Sequence, residues 1–178
     1  TPCVQLKNLG NELGLSHLYA KVEYMSPTGS FKDRGTTVLV SAAKEAGIQE
    51  LVEDSSGNAG ASMAAYCAKA GIHAIVFVPS STPIEKTNQI RYYGADIRPV
   101  VGTREEAARA AHTYALASGI FYGSHNLNPY FVDGMKSFAY ELANAPTPRP
   151  IKHVVIPVGN GSLLIGSSIG FSDLTHSE

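Results

Sequence analysis

The sequence predicts an open, mostly parallel α/β sheet in three layers, and three observations carry that prediction. Short apolar runs alternate with helical patterns along nearly the whole chain, as strand–helix–strand units do when helices cover both faces of their sheet. Glycines follow the helical runs at Gly47, Gly71, Gly94 and Gly119, where a helix ends in a left-handed residue. Helix starts carry N-cap chemistry. Thr82-Pro83-Ile84-Glu85 combines a capping threonine, proline at the first helical position and a capping-box glutamate, and Thr103 with Glu106 repeats the box.

In order, the strands are expected at 18–24, 50–54, 74–79, 96–101, 120–123 and 153–158, and the helices at 31–46, 58–70, 83–93, 104–117, 129–144 and 162–170. The first strand is apolar and runs into a turn made by Pro27 and Gly29. Ser30 and Asp33 then have capping-box spacing, so a helix opens at Ser30. The stretch Pro146-Thr147-Pro148-Arg149-Pro150 has linker composition and marks a passage between subdomains. Both ends look cut: the chain starts at Thr1-Pro2 and stops just after a new apolar pattern begins, which points to a piece of a longer protein.

A chain of 178 residues with 44% hydrophobic and 16% charged residues can bury a sizeable core. Its net charge of -1 gives no electrostatic case for nucleic acid or an anionic membrane, and no apolar run approaches the length of a bilayer span. Cys3 and Cys67 make no disulfide framework; they read as reduced thiols of a cytoplasmic protein, with Cys67 as core filler. His17, His73, His153 and His176 have no metal-ligand spacing, and no metal site is expected. His112 belongs on a solvated helix face, and Tyr92-Tyr93 at a helix end suits packing.

Three loops are rich in Gly, Ser, Thr and Asn, and in a parallel sheet they open on the carboxyl edge, where ligands bind. The first is Ser26-Pro27-Thr28-Gly29-Ser30-Phe31-Lys32-Asp33-Arg34-Gly35. Lys32 falls in the first helical turn, where unpaired N–H groups and the macrodipole disfavour a cation. Either its stem carries the ammonium to solvent, or its nitrogen is neutral or covalently occupied, as in amine nucleophiles. The second is Glu53-Asp54-Ser55-Ser56-Gly57-Asn58-Ala59-Gly60. Its hydroxyls, amide and helix-start N–H groups suit a carboxylate, although small residues there also suit a helix packed tightly on the sheet. The third, Gly159-Asn160-Gly161-Ser162-Leu163, fits a phosphate cradle or an ordinary tight turn. Asp33 and Arg34 either pair locally or orient the lysine turn. His125 either lines a substrate pocket, where it would suit a phosphate, or serves a structural hydrogen bond. A reactive amine, a phosphate cradle and a carboxylate cradle on one edge jointly describe pyridoxal 5'-phosphate (PLP), which pairs an aldehyde with a phosphate, together with an amino-acid substrate.

The residues carrying those features resemble the fold-type-II PLP enzymes, the group of threonine synthase, serine/threonine dehydratase, cysteine synthase and tryptophan synthase β. Thr28-Gly29-Ser30-Phe31-Lys32-Asp33-Arg34-Gly35 resembles their lysine motif, and Ser55-Ser56-Gly57-Asn58-Ala59-Gly60 their substrate-carboxylate loop. Thr1-Pro2 with Leu6 is similar to their opening, and Gly159-Asn160-Gly161-Ser162 sits where their phosphate loop belongs. The wording Ser30-Phe31-Lys32-Asp33-Arg34, and Gly123-Ser124-His125-Asn126-Leu127-Asn128-Pro129-Tyr130 followed by Gly134, are most similar to threonine synthase.

The resemblance implies that Lys32 holds PLP as a Schiff base and then moves substrate protons. It implies that Asn58 bonds the cofactor's phenolic oxygen, and that Gly159, Asn160, Gly161, Ser162 and Leu163 bind its phosphate. Ser55, Ser56, Gly57 and Ala59 would hold the substrate carboxylate, with His125 nearby. Residues 35–144 would form a smaller mobile domain, while 1–34 and 145–178 belong to the larger PLP-binding domain. The implied reaction converts O-phosphohomoserine and water to threonine and phosphate. The alternatives are a serine/threonine dehydratase or related β-eliminating or β-replacing enzyme, and a binding fragment without turnover. A homodimer is compatible with the resemblance. Two departures stand out. The family's catalytic domain is nearly twice this long, and the residue it places against the pyridine nitrogen has no match here. Asn160 also replaces a glycine common in cysteine-synthase-like loops.

Overall fold

The computed structural model describes residues 1–176. Its elements run β1 (Cys3–Gln5), α1 (Lys7–Leu13), β2 (Tyr19–Lys21), a 3-10 turn (Glu23–Met25), α2 (Lys32–Glu45), β3 (Glu50–Glu53), α3 (Asn58–Ala70), β4 (His73–Pro79), α4 (Ile84–Tyr92), β5 (Asp96–Val100), α5 (Arg104–Ser118), β6 (Phe121–Tyr122), α6 (Pro129–Ala143) and α7 (Ser162–Thr175). Strands β5-β4-β3-β6 form a four-stranded sheet in which every pairing is parallel. The chain moves outward through β3, β4 and β5, then returns to add β6 on the other side of β3. This reversal puts a crevice at the carboxyl ends of β3 and β6, the place where open α/β sheets bind ligands.

Both faces of the sheet are covered, as the continuous apolar strands require. On β4, Ile75 and Phe77 pack toward Ala111 and Ala115 of α5, while Val76 and Val78 pack toward Ala61 and Ala64 of α3 and Ile90 of α4. Leu39, Met63, Phe131, Met135 and Phe138 join α2, α3 and α6 in a third cluster. Cys67 is buried within it, and burial pushes its thiol up to about 12. All four helix-ending glycines take positive φ.

Four expectations need correction. The first run does not enter the main sheet; it shortens to β2 and pairs antiparallel with β1. Residues 153–158 form no strand, because no neighbour offers them a ladder; Val155 is 96% exposed. It follows that only the second loop leaves a strand of the main sheet, and the first and third reach the site by other routes. Finally, two caps differ. Pro83 is the N-cap of α4 without a side-chain bond, and Asp33 turns to Thr28 instead of boxing with Ser30. The box at Thr103 and Glu106 is present.

Arg34 is buried in a charged knot that ties α2 to α6. Its guanidinium donates to Glu23 at 2.7 and 2.8 Å, to Glu141 at 2.8 and 2.9 Å, and to Ser137 at 2.9 Å. Burial pushes the Glu141 carboxyl up, but bonds from Arg34 and Lys21 outweigh it and hold the group well below the carboxylate range. Glu23 is lowered in the same way, burial being outweighed mainly by Arg34. A depressed carboxyl stabilises the fold above its unfolded pKa, and that contribution is lost as pH falls toward the folded value. Acid titration of stability is therefore expected to show a decline below about pH 5, and Glu141→Gln should flatten it. Glu141 is partly exposed, so its own share is about 1 kcal/mol. Equal slopes for the two proteins in urea melts across that range would count against the knot.

Candidate active site

Lys32 opens α2 with its side chain half-buried, its Nζ 4.4 Å from the centre of the Phe31 ring and 5.8 Å from that of Phe131. Burial pushes its pKa below the ordinary lysine range, and the negative charge of Glu53 pulls part of the way back. The amine is thus neither solvent-borne nor capped by a salt bridge, which suits a nucleophile.

The turn before it is fixed by Asp33, whose buried carboxylate accepts from Thr28 N–H at 2.8 Å, Thr28 Oγ1 at 2.5 Å and Ser62 Oγ at 2.6 Å. The last of these bonds fastens the lysine turn to α3. Asp33 therefore orients the lysine turn, and Arg34 belongs to the knot described above.

The second loop leaves the end of β3. Ser55 and Ser56 are half-buried, Ala59 is buried, and Gly57 and Asn58 are exposed. Gly57 caps α3 without a side-chain bond, so the first N–H groups of α3 remain free for a ligand. Gly60 brings the helix close: a Cβ there would lie 1.9 Å from the Ser55 carbonyl oxygen. Both readings of this loop, tight packing and open N–H groups, hold together.

In the third loop Gly161 takes φ +86° and caps α7, while Asn160 Oδ1 accepts from Ser162 N–H and Oγ. A Cβ at Gly159 would meet nothing within 4 Å, and one at Gly161 only Ile165 at 3.7 Å. Glycine is thus not demanded by packing at 159; it leaves open space beside a helix N-terminus, which fits a phosphate. Asn160 Nδ2 donates to Asn126 Oδ1 at 2.6 Å, joining this loop to 124–128. Leu163 shares an apolar cluster with Phe31 and Phe131. With an accessible glycine cradle, free helix N–H groups and a half-buried amine, the residues fit PLP.

His125 is buried at the carboxyl end of β6, its Nδ1 2.6 Å from Glu53 Oε1 and its ring 5.9 Å from that of Phe131. Asp54, also buried, accepts from Arg104 at 2.8 Å. Glu53 and Asp54 were given no role by the sequence. An acid ending an otherwise apolar parallel strand was the available signal, since buried charges are rare without a partner. His112 is exposed, and Tyr92 and Tyr93 pack edge to face on each other at 5.6 Å. An open concavity of about 1280 Å³ lies elsewhere, between β2 and residues 147–157. It is mostly apolar, and of the residues packed around the lysine turn it is lined by Phe31 and Leu163.

Among known proteins, the family described as pyridoxal-phosphate dependent enzyme matches residues 1–177. The threonine synthase of Methanocaldococcus jannaschii is 36% identical over 174 residues, 97% of this chain and 43% of the relative. Among solved structures, the processed form of threonine deaminase isoform 2 from Solanum lycopersicum superposes with a TM-score of 0.86 at 25% identity, over 98% of this chain and 47% of that one. O-ureido-L-serine synthase does so with a TM-score of 0.86 at 25% identity, over 98% and 57%. The chain spans about half the length of the relatives it matches.

Proposed function

Because the chain belongs to the pyridoxal-phosphate dependent enzyme family, whose cofactor is PLP, we propose that it is part of a lyase of the threonine synthase kind, converting O-phosphohomoserine and water to threonine and phosphate. The observation that carries this reading is the half-buried Lys32 amine at the start of α2, supported by the likeness to threonine synthases.

In this reading Lys32 holds the cofactor's aldehyde carbon, Asn58 its phenolic oxygen, and Gly159, Asn160, Gly161, Ser162 and Leu163 its phosphate. Ser55, Ser56, Gly57 and Ala59 grip the substrate carboxylate, and His125 stands near the substrate side chain. Bound PLP supplies an aldehyde that condenses with amines and a ring that stores electron pairs. Burial helps Lys32 Nζ become a neutral amine, so it can take a proton from one substrate carbon and return it to another. Residues 35–144 act as the smaller mobile domain, with 1–34 and 145–178 in the larger one; 177 and 178 lie outside the described residues. Unbridged Cys3 and Cys67 fit a cytoplasmic setting.

A second reading, a serine/threonine dehydratase, is favoured by the superposition on threonine deaminase. Release of phosphate against formation of a 2-oxoacid separates the two. The first test is PLP binding to the chain, trapped by borohydride and mapped by peptide mass. The pyridoxyl group is expected on Lys32, and Lys32→Ala should abolish the trapped product; labelling scattered over surface lysines would defeat the reading.

A further inference from the structure

We infer that Glu53 is the positioning carboxylate of the lysine site: one oxygen holds His125, and the other receives the Lys32 ammonium. The inference rests on Lys32 being the reactive amine proposed above.

Glu53 ends β3, between β4 and β6, with its side chain wholly enclosed. Its Oε1 lies 2.6 Å from His125 Nδ1. As an ionised carboxylate Glu53 can only accept, and Nδ1 then carries the hydrogen. Glu53 Oε2 is buried and has no partner, a costly state for an ionised oxygen. A positively charged donor is missing, and Asp54 Oδ1, in the same acidic cluster, is buried without a partner as well. Arg104 is engaged by Asp54. Cys67 and Tyr122, which both feel the charge of Glu53, are pushed up to about 12, largely by burial; they stay protonated and neutral, so neither supplies the positive charge that a buried ionised oxygen calls for. Arg34 is committed to Glu23 and Glu141.

Lys32 feels the charge of Glu53 and makes no ion pair of its own among the described residues. Its Nζ rests on Phe31, 5.8 Å from the centre of Phe131, and that ring lies 5.9 Å from His125. To reach the pair, Nζ would swing on its flexible stem across Phe131. The carboxylate then opposes the effect of burial. It steadies the ammonium when the amine has taken a proton and releases it when the proton is returned, so that one nitrogen serves as both base and acid.

The test uses the chain without cofactor, labelled with ¹³Cε-lysine and ¹⁵N-histidine and titrated by NMR. Removing the charge leaves burial alone, so Glu53→Gln is expected to lower the Lys32 midpoint and raise the amine-to-ammonium ratio about tenfold at fixed pH. Exposed Lys69 is the internal control and should not move. Glu53→Asp keeps the charge but shortens the reach, so it should give a smaller drop, and it carries the test if the glutamine variant fails to fold. Wild-type His125 is expected as the Nδ1–H tautomer. A Lys32 midpoint that stays put or rises in either variant overturns the inference, as does an Nε2–H tautomer. Trapping of PLP on Lys32 is read separately. Loss of trapping with the predicted titration intact defeats the proposed function alone, and the reverse result defeats the role of Glu53 alone.

Discussion

Asp33→Ala is expected to destabilise the chain by about 3–5 kcal/mol and to free the turn that presents Lys32. The carboxylate accepts three hydrogen bonds within 2.8 Å, from two donors of Thr28 and from Ser62, and its residue is only 3% exposed. Alanine would strand Thr28 N–H and two hydroxyls in the interior and leave a void beneath the start of α2. It would also remove an acid from the first turn of a 14-residue helix, where the macrodipole favours one. Asp33→Asn is the informative comparison. Both hydroxyls can rotate to accept from the introduced amide while Thr28 N–H still meets its oxygen, so this variant should cost about 1–2 kcal/mol. Urea unfolding of both variants, with trapping of PLP on Lys32 measured below the transition, checks the two effects together. If Asp33→Ala matched Asp33→Asn in stability and trapped PLP normally, the lysine turn would not depend on this anchor.

The same residue shows where sequence reading succeeds and where it stops. Ser30 and Asp33 have capping-box spacing, which places a helix start two residues before the observed one at Lys32, but the Asp33 side chain goes to Thr28 and to Ser62, a residue 29 positions away. Spacing carries local geometry; it carries nothing about a partner supplied by another helix. The six-strand pattern was legible wherever a run had neighbours to pair with, and it failed at 153–158, whose apolar residues look like a strand but have no ladder beside them. β1 and α1 were missed because three strand residues and seven helical ones are too short for a period to stand out. In the site, the glycine and serine loops announced themselves through backbone chemistry. Glu53 did not, because its meaning lies in a pairing with His125 across 72 residues of chain. Its strand pairing with Val76 says only that the position is interior.

Gly134→Ala should lower stability by about 3 kcal/mol and the melting midpoint by about 6–12 °C, although alanine is the better helix former by up to about 1 kcal/mol. The reversal of sign comes from the crossing of α2 and α6, where the two backbones touch. A Cβ at Gly134 would lie 2.2 Å from the Arg34 carbonyl oxygen and 2.8 Å from the Gly35 Cα. From the other side, a Cβ at Gly35 would lie 2.6 Å from the Phe131 carbonyl oxygen and 2.7 Å from its ring. Neither obstacle can be cleared by a rotamer change alone, because each glycine meets backbone of the opposite helix. The helices must separate, and the separation reaches the site: Arg34 is two residues from Lys32, and Phe131 is one of the two rings beside Nζ. Gly134→Ala is thus expected to weaken trapping of PLP on Lys32 as well as stability. Gly159→Ala is its counterpart. It meets nothing within 4 Å and does not require a positive φ, so thermal unfolding should be unchanged while a methyl group narrows the cradle proposed for the cofactor's phosphate. A Gly134→Ala chain that melted with the wild type would show that the crossing has slack. A Gly159→Ala chain that bound PLP as tightly as the wild type would move the phosphate away from the third loop.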